Sequence, residues 1–408
     1  MNNQQIIVPT AQAPAPVGQP FKVANIGAGQ SRSELSGQWA SRPADQRFVS
    51  LSALRDHCQR AFDNSRAQAY DSRDVQIVAP EAETMEDTRK LTVHFPDGDF
   101  ATPNHWSFGQ IAGLVGAPAA YLRTLPSQLV ADNLQYGLAV GRSEMVKSYV
   151  RQDGAHELRA VTGPDYGRIP DAEVVRAIQR VAGEGDGSGG YPWKVPGVMD
   201  WGSLMYNPLV PISQATTTLF ASDRDMFVFL VDDLHPIVVG KTKAGDDDIM
   251  FRGFYVWNSE TGSKSMGIAT MYLRSICCNR ILWGVENFDQ IIMRHSKNAP
   301  ARFMDEAIPA LAQYAEGSVQ KLTLGVQAAQ AAIVADDDEA AMAFLKGRKF
   351  SRQRSADILK LVEEEEGRPA RTVWDMAQGI TAYARSIPHQ DRRVELEKQA
   401  KQILDRVA

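Results

Sequence analysis

The chain of 408 residues is longer than one ordinary single-core domain, so its length predicts two cores. Hydrophobic residues make up 44% and charged residues 23%, as in a globular protein, and no stretch approaches the roughly 20 consecutive apolar residues that span a bilayer, which excludes a helical membrane protein. A net charge of −5 argues against coating nucleic acid with the whole surface, and the first residues lack the basic and apolar regions of a secretory signal, so the cytoplasm is the expected compartment.

Residues 1–45 are rich in Gln, Pro, Ala and Gly, and the run from Ala11 to Pro16 is incompatible with regular structure, so a flexible arm is expected. An N-terminal α/β region is expected over 46–182. Its first helix begins near Val49, where Ser50 or Ser52 can cap a helical period carrying Leu51, Leu54, Cys58 and Phe62. Val75 to Val78 and the alternating Leu91 to Phe95 read as strands, the second ending at the turn Pro96-Asp97-Gly98. Three short helices follow: one capped by Ser107 with Gln110 three residues on, one from Pro118 to Leu125, and one from Ser127 to Leu138. Glu144 to Val150 and Leu158 to Val161 alternate as a hairpin, and a helix is expected from Asp171 to Ala182.

Five glycines among the eight residues from Gly183 to Gly190 predict a linker or long exposed loop. It introduces a sheet-rich core over 191–304, in which Thr216–Phe220, Met226–Val231, Pro236–Val239, Phe251–Trp257 and Ser265–Leu273 are rich in β-branched and aromatic residues. Residues 305–408 read as a helical region, with apolar spacings of three and four over Asp305 to Val334 and an amphipathic helix from Glu395 to Val407. The expected class is α+β: a central, mostly antiparallel sheet flanked by helices, with a flexible N-terminal arm and a C-terminal helical region.

Charge is segregated along the chain. Lys264 to Arg302 holds six basic residues against two acidic, and Ala340 to Lys360 holds six against one. Acid gathers at Asp246–Asp248, Asp336–Glu339 and Glu363–Glu366. Cys58, Cys277 and Cys278 form no CxxC pair and read as buried thiols. No catalytic constellation, metal site or cofactor motif is legible. Asp246–Asp248 has no second acidic motif at a telling spacing, and Arg294-His295-Ser296 is one base beside one hydroxyl.

The order of several segments is recognisable: Leu158 to Tyr166, Trp257-Asn-Ser-Glu-Thr-Gly-Ser263, Cys278 to Leu282, Arg294-His-Ser296, the helix Gly116 to Leu122 and the helix Thr372 to Tyr383. Together, over Phe95 to Leu404, they resemble the phage- and plasmid-associated family of unknown function numbered 932. Cys278-Asn279 stands where that family's Cys/Asn pair is expected, whereas Trp257 fills a position the family often gives to a smaller residue. The resemblance implies a role in the DNA metabolism of a mobile element in a bacterial host, and it implies no catalytic residue.

An aromatic sheet beside a basic segment fits single-stranded DNA as the partner, held by bases stacked on rings and phosphates paired with Arg or Lys, and the resemblance implies recombination or replication as the setting. Arg252, Tyr255, Trp257, Tyr272, Arg274, Arg280, Arg294 and Lys297 are the candidate nucleic-acid-binding residues. Two other readings stay open. The small residues of the C-terminal helices suit a homo-oligomerising structural protein, and a metal-dependent hydrolase or nuclease would need converging carboxylates that the sequence does not reveal.

Overall fold

The computed structural model describes residues 42–79, 91–141, 144–152, 154, 156–200, 205–207, 210–241, 245, 247–274, 280–281, 290–317, 320–387, 396 and 399–405. The arm, up to residue 41, and Cys277 and Cys278 lie outside the described residues.

The fold is α+β, with two large sheets flanked by helices and a two-stranded antiparallel ribbon of β9 (Gly197–Asp200) and β10 (Met205–Asn207). The larger sheet runs β1 (Arg47–Phe48), β11 (Leu219–Ala221), β12 (Met226–Lys241), β13 (Asp247–Asn258), β14 (Met266–Arg274) and β15 (Arg280–Ile281), with β8 (Trp193–Lys194) on β12 and β16 (Gln290–Met293) on β14. All its pairings are antiparallel. Pro236 interrupts what reads in sequence as two strands, yet β12 continues through it. The chain bulges between Asp232 and Ile237, where the missing proline N–H is tolerated.

The second sheet is ordered β2 (Ser65–Asp71), β6 (Met145–Arg151), β7 (Glu157–Thr162), β5 (Phe100–Pro103), β4 (Thr92–His94) and β3 (Gln76–Val78). Only β5 and β7 run parallel. Helices α2 (His105–Leu114), α3 (Ala119–Leu122) and α4 (Ser127–Val140) cover one face, burying Phe108, Ile111, Leu122, Leu134 and Leu138 in one core with Val93, Ala101 and Leu158. Gln135 of α4 accepts the N–H of Ile77 at 2.8 Å, capping the edge strand β3.

Helix α1 (Leu51–Asp63) starts at Ser50, whose side chain accepts the N–H of Ala53 at 3.1 Å. The start of α2 differs from the reading that placed its cap at Ser107. Asn104 Oδ1 accepts the N–H groups of Trp106 and Ser107, both at 3.0 Å, and Ser107 is buried, donating to Leu158 O at 2.6 Å. Asn is an equally good cap and comes first in the chain.

The two cores do not divide at the glycine-rich segment. A small core gathers residues from Tyr70 to Leu158, and the large one joins α1 and α5 (Asp171–Ala182) to the main sheet and to C-terminal helices as far as Leu404. The glycine segment is a folded-back loop within that large unit: Val195 N–H donates to Gly185 O at 2.8 Å and Gly187 N–H to Trp193 O at 3.1 Å. Gly185 has φ +73° and lies against Leu51, so a side chain there would be both strained and crowded.

The helix expected over 305–334 is broken into pieces. After α6 (Ala299–Arg302) comes a π-helical turn, Phe303–Ala307, then α7 (Ile308–Glu316) and, past Gly317, α8 (Gln320–Ala331). Pro309 cannot donate to the carbonyl one turn back, and the wider turn before it accommodates the ring. Helices α9 (Asp338–Lys346), α10 (Arg352–Glu366) and α11 (Val373–Arg385) follow. No described helix is long and apolar enough to cross a membrane.

Candidate nucleic-acid interface

The central strands of the main sheet are buried on both faces. Met226 to Asp232 and Arg252 to Asn258 contain no exposed residue. Alternate residues Val228, Leu230, Phe254 and Val256 enter the large core. On the opposite face Phe227, Tyr255 and Trp257 form a stacked layer, with ring centroids 5.4–6.4 Å apart. Burying each ring stabilises the fold by roughly 1.5–3 kcal/mol.

This corrects part of the expected DNA surface. Tyr255 is fully buried and Trp257 is 9% exposed, so neither offers a face to a base. Arg252 is also buried. Its Nη2 lies 2.7 Å from Asp232 Oδ2, its Nη1 donates to Gly317 O at 2.8 Å, and its guanidinium lies 5.4 Å from the Trp193 ring centroid. It neutralises an internal carboxylate and is not presented to a phosphate. Tyr272 and Arg274 are in β14 and Arg280 in β15, but their side chains lie outside the described residues. Arg294 and Lys297, beyond β16, are exposed.

The Asn258–Ser263 turn is a polar junction between the two sheets. Glu260 accepts from Arg159 Nη1 at 3.1 Å, from Tyr149 Oη at 3.2 Å and from the Asp171 N–H at 2.9 Å. Trp106 Nε1 and Gln110 Nε2 both donate to Thr261 O, and Tyr166 Oη donates to Ser259 O. Arg168 lies over the Tyr149 ring at 3.8 Å. Asp171 accepts from Asn258 Nδ2 at 2.7 Å, and burial together with the neighbouring Glu260 pushes its carboxyl well above the usual range. His295 is buried, its ring stacked on Tyr166 and its Nδ1 3.0 Å from Gly167 O, and burial lowers its pKa. The His295-Ser296 pair is therefore a packing and backbone-anchoring feature with no described hydrogen bond between its side chains. Asp247 pairs with Lys241 on the surface while Asp248 is buried, and Asp246 lies outside the described residues. Among the described residues no three His, Cys, Asp or Glu side chains converge as a metal site. This junction can hold two sheets together and keep a proton on Asp171.

Some of the described cations in the two basic segments have carboxylate partners. Lys264 is tied to Asp225, and Arg302 to Glu306. Arg294 and Lys297 have no ion-pair partner among the described residues, nor do Lys346, Lys349, Arg352 and Arg354 around the α9–α10 elbow. Of those four, Lys346, Lys349 and Arg352 are exposed and Arg354 is half-buried. No acidic residue falls between Lys346 and Arg354.

No family model, no curated protein and no solved structure matches this chain.

Of the main-sheet aromatics named from residue types, Tyr255 and Trp257 are buried. Among the described residues a solvent-facing ring row lies on the open face of the small sheet: His94 on β4, Phe100 opposite it on β5 and half-buried His156 just before β7, with centroids 5.9 and 5.5 Å apart. Phe100 is 51% exposed. The alternation of Thr92-Val93-His94 and Phe100-Ala101-Thr102 signalled one open face. Asp97 and Asp99 border this row, with Arg66 bound to Asp97 and His156 3.3 Å from Asp99, so the row does not offer a surplus of positive charge to a phosphate.

Proposed function

We propose that the protein binds DNA through its phosphates, with single-stranded DNA in the recombination or replication of a mobile element as the ligand. One observation carries this reading: six exposed or half-buried cations, at 294, 297, 346, 349, 352 and 354, have no described carboxylate partner in a chain whose net charge is −5. Internal pairing would satisfy structural cations, as it does at Arg252 and Arg159, whereas a polyanion is the partner that suits a surplus. The mobile-element setting rests on the segment order that resembles the phage- and plasmid-associated family. Burial of Tyr255 and Trp257 leaves phosphate contact, and not base stacking on the main sheet, as the source of affinity.

Fluorescence anisotropy of the purified chain with a labelled single-stranded oligonucleotide and its duplex, across a salt series with and without magnesium, tests the proposal. Binding whose logarithm falls linearly with the logarithm of salt concentration supports it. No binding to either form at low salt would remove it and leave a structural, self-associating role as the better reading.

A further inference from the structure

The elbow between α9 and α10 is built against local preference at three positions, each occupied by a cation. Gly347, Arg348, Lys349, Phe350 and Ser351 connect the helices, and the N–H of Phe350 returns to Leu345 O at 3.3 Å. Lys349 has φ +69°, the left-handed region where glycine is the usual helix-ending residue, and it is the one described non-glycine residue with positive φ. Arg352 and Arg354 occupy the first turn of α10, beside the positive pole of the helix dipole, while Glu363–Glu366 occupy its last turn beside the negative pole. Stability alone would favour Gly at 349 and acidic residues at 352 and 354. Local choices that oppose stability mark places where function sets the residue.

The elbow also withholds its aromatic rings. The Arg348 guanidinium lies 3.4 Å from the Phe344 ring centroid and donates to Phe344 O, and Phe350 is buried. A nucleotide at the elbow meets positive charge and no open ring.

We propose that this elbow is a phosphate-contact site, taking the nucleic-acid backbone without reading bases and therefore without distinguishing single strand from duplex. This rests on the DNA-binding function proposed above and names the part of the surface that supplies its charge-dependent, sequence-independent share. A single-strand preference, where the whole protein shows one, arises outside the elbow. Charge complementarity selects the partner: Lys346 to Arg354 carries five basic residues and no acidic one.

The test compares the full chain with Arg352→Gln/Arg354→Gln and, separately, Lys349→Gly, on a single-stranded 20-mer and on its duplex. In the double variant the salt slope is expected to fall by about 1.4 on single strand and about 1.8 on duplex, from two lost phosphate contacts. Affinity at low salt is expected to drop roughly tenfold or more on both forms. Lys349→Gly is expected to lose about one contact's slope while unfolding at a higher temperature than the parent, an increase that separates lost contact from lost fold. Slopes unchanged in both variants, or a loss confined to the single strand, overturn the elbow assignment while leaving the DNA-binding function standing. Failure of the parent chain to bind either form overturns both.

Discussion

Asp232 and Arg252 sit directly opposite each other on β12 and β13, with Oδ2 and Nη2 2.7 Å apart and both side chains buried. The aspartate also accepts the N–H of His235 at 3.1 Å, so the bulge in β12 folds back onto the pair. Removing one member leaves a buried charge without its partner, and Arg252→Ala is expected to cost about 3–5 kcal/mol of stability. Denaturant unfolding measures this as a lower midpoint at constant slope. The folded fraction should bind DNA as tightly as the parent. A selective loss of affinity without a change in stability would return Arg252 to the binding surface.

Trp257 and Gly267 are cross-strand partners, and a Cβ on Gly267 would fall 2.0 Å from the indole Cζ2. Gly267→Ala should therefore destabilise by roughly 1–3 kcal/mol through overpacking. Trp257→Leu in the same chain should relieve the clash, giving a coupling of about 1–2 kcal/mol in a double-mutant cycle. Additive thermal unfolding across the four proteins would show that the indole is not what the new methyl meets.

Asp171 gives a pH dependence of definite sign. Its raised folded-state pKa means that its contribution to stability is fully present below the ordinary carboxylate value of about 3.9 and is lost as pH rises through the folded value. Asp171→Asn keeps the acceptor for Asn258 Nδ2 and removes the charge that burial disfavours. The variant is expected to be more stable than the parent at pH 8 and close to it at pH 4. Parallel denaturation curves with the same gap at both values would rule out a proton on Asp171.

His295 acts in the opposite direction. Burial depresses its folded-state pKa, so its contribution is present above the ordinary value of about 6.5 and is lost as pH falls through the depressed one. Between pH 7.5 and 5, His295→Gln should lose less stability than the parent. A steeper loss in the variant would contradict a neutral buried imidazole.

Helix-forming and turn-forming signals were legible where local chemistry decides them. Ser50 before Leu51, Leu54 and Cys58, the alternation leading into β6 and β7, and the helix at Asp171 correspond to observed elements. What escaped sequence reading depends on partners far along the chain. Met226-Phe-Val-Phe-Leu-Val231 lacks alternation because both faces are covered, and that continuity was the available sign that Tyr255 and Trp257 would be buried. The composition of Gly183–Gly190 predicted exposure but could not show its return to Trp193 and Val195. Basic residues were legible as a run at Lys346 to Arg354, whereas the left-handed backbone at Lys349 required the fold. Arg294 and Lys297, named from sequence for their charge, are exposed.

The large core places Leu51 and Leu404 in one apolar cluster, while the described buried residues of the small core fall between Tyr70 and Leu158. During synthesis the contiguous small core can close while later segments are still being made. The large one is completed only once the C-terminal helices have left the ribosome. Its apolar faces then remain uncovered for longer, making the emerging large unit the part of the chain that depends more on chaperone protection.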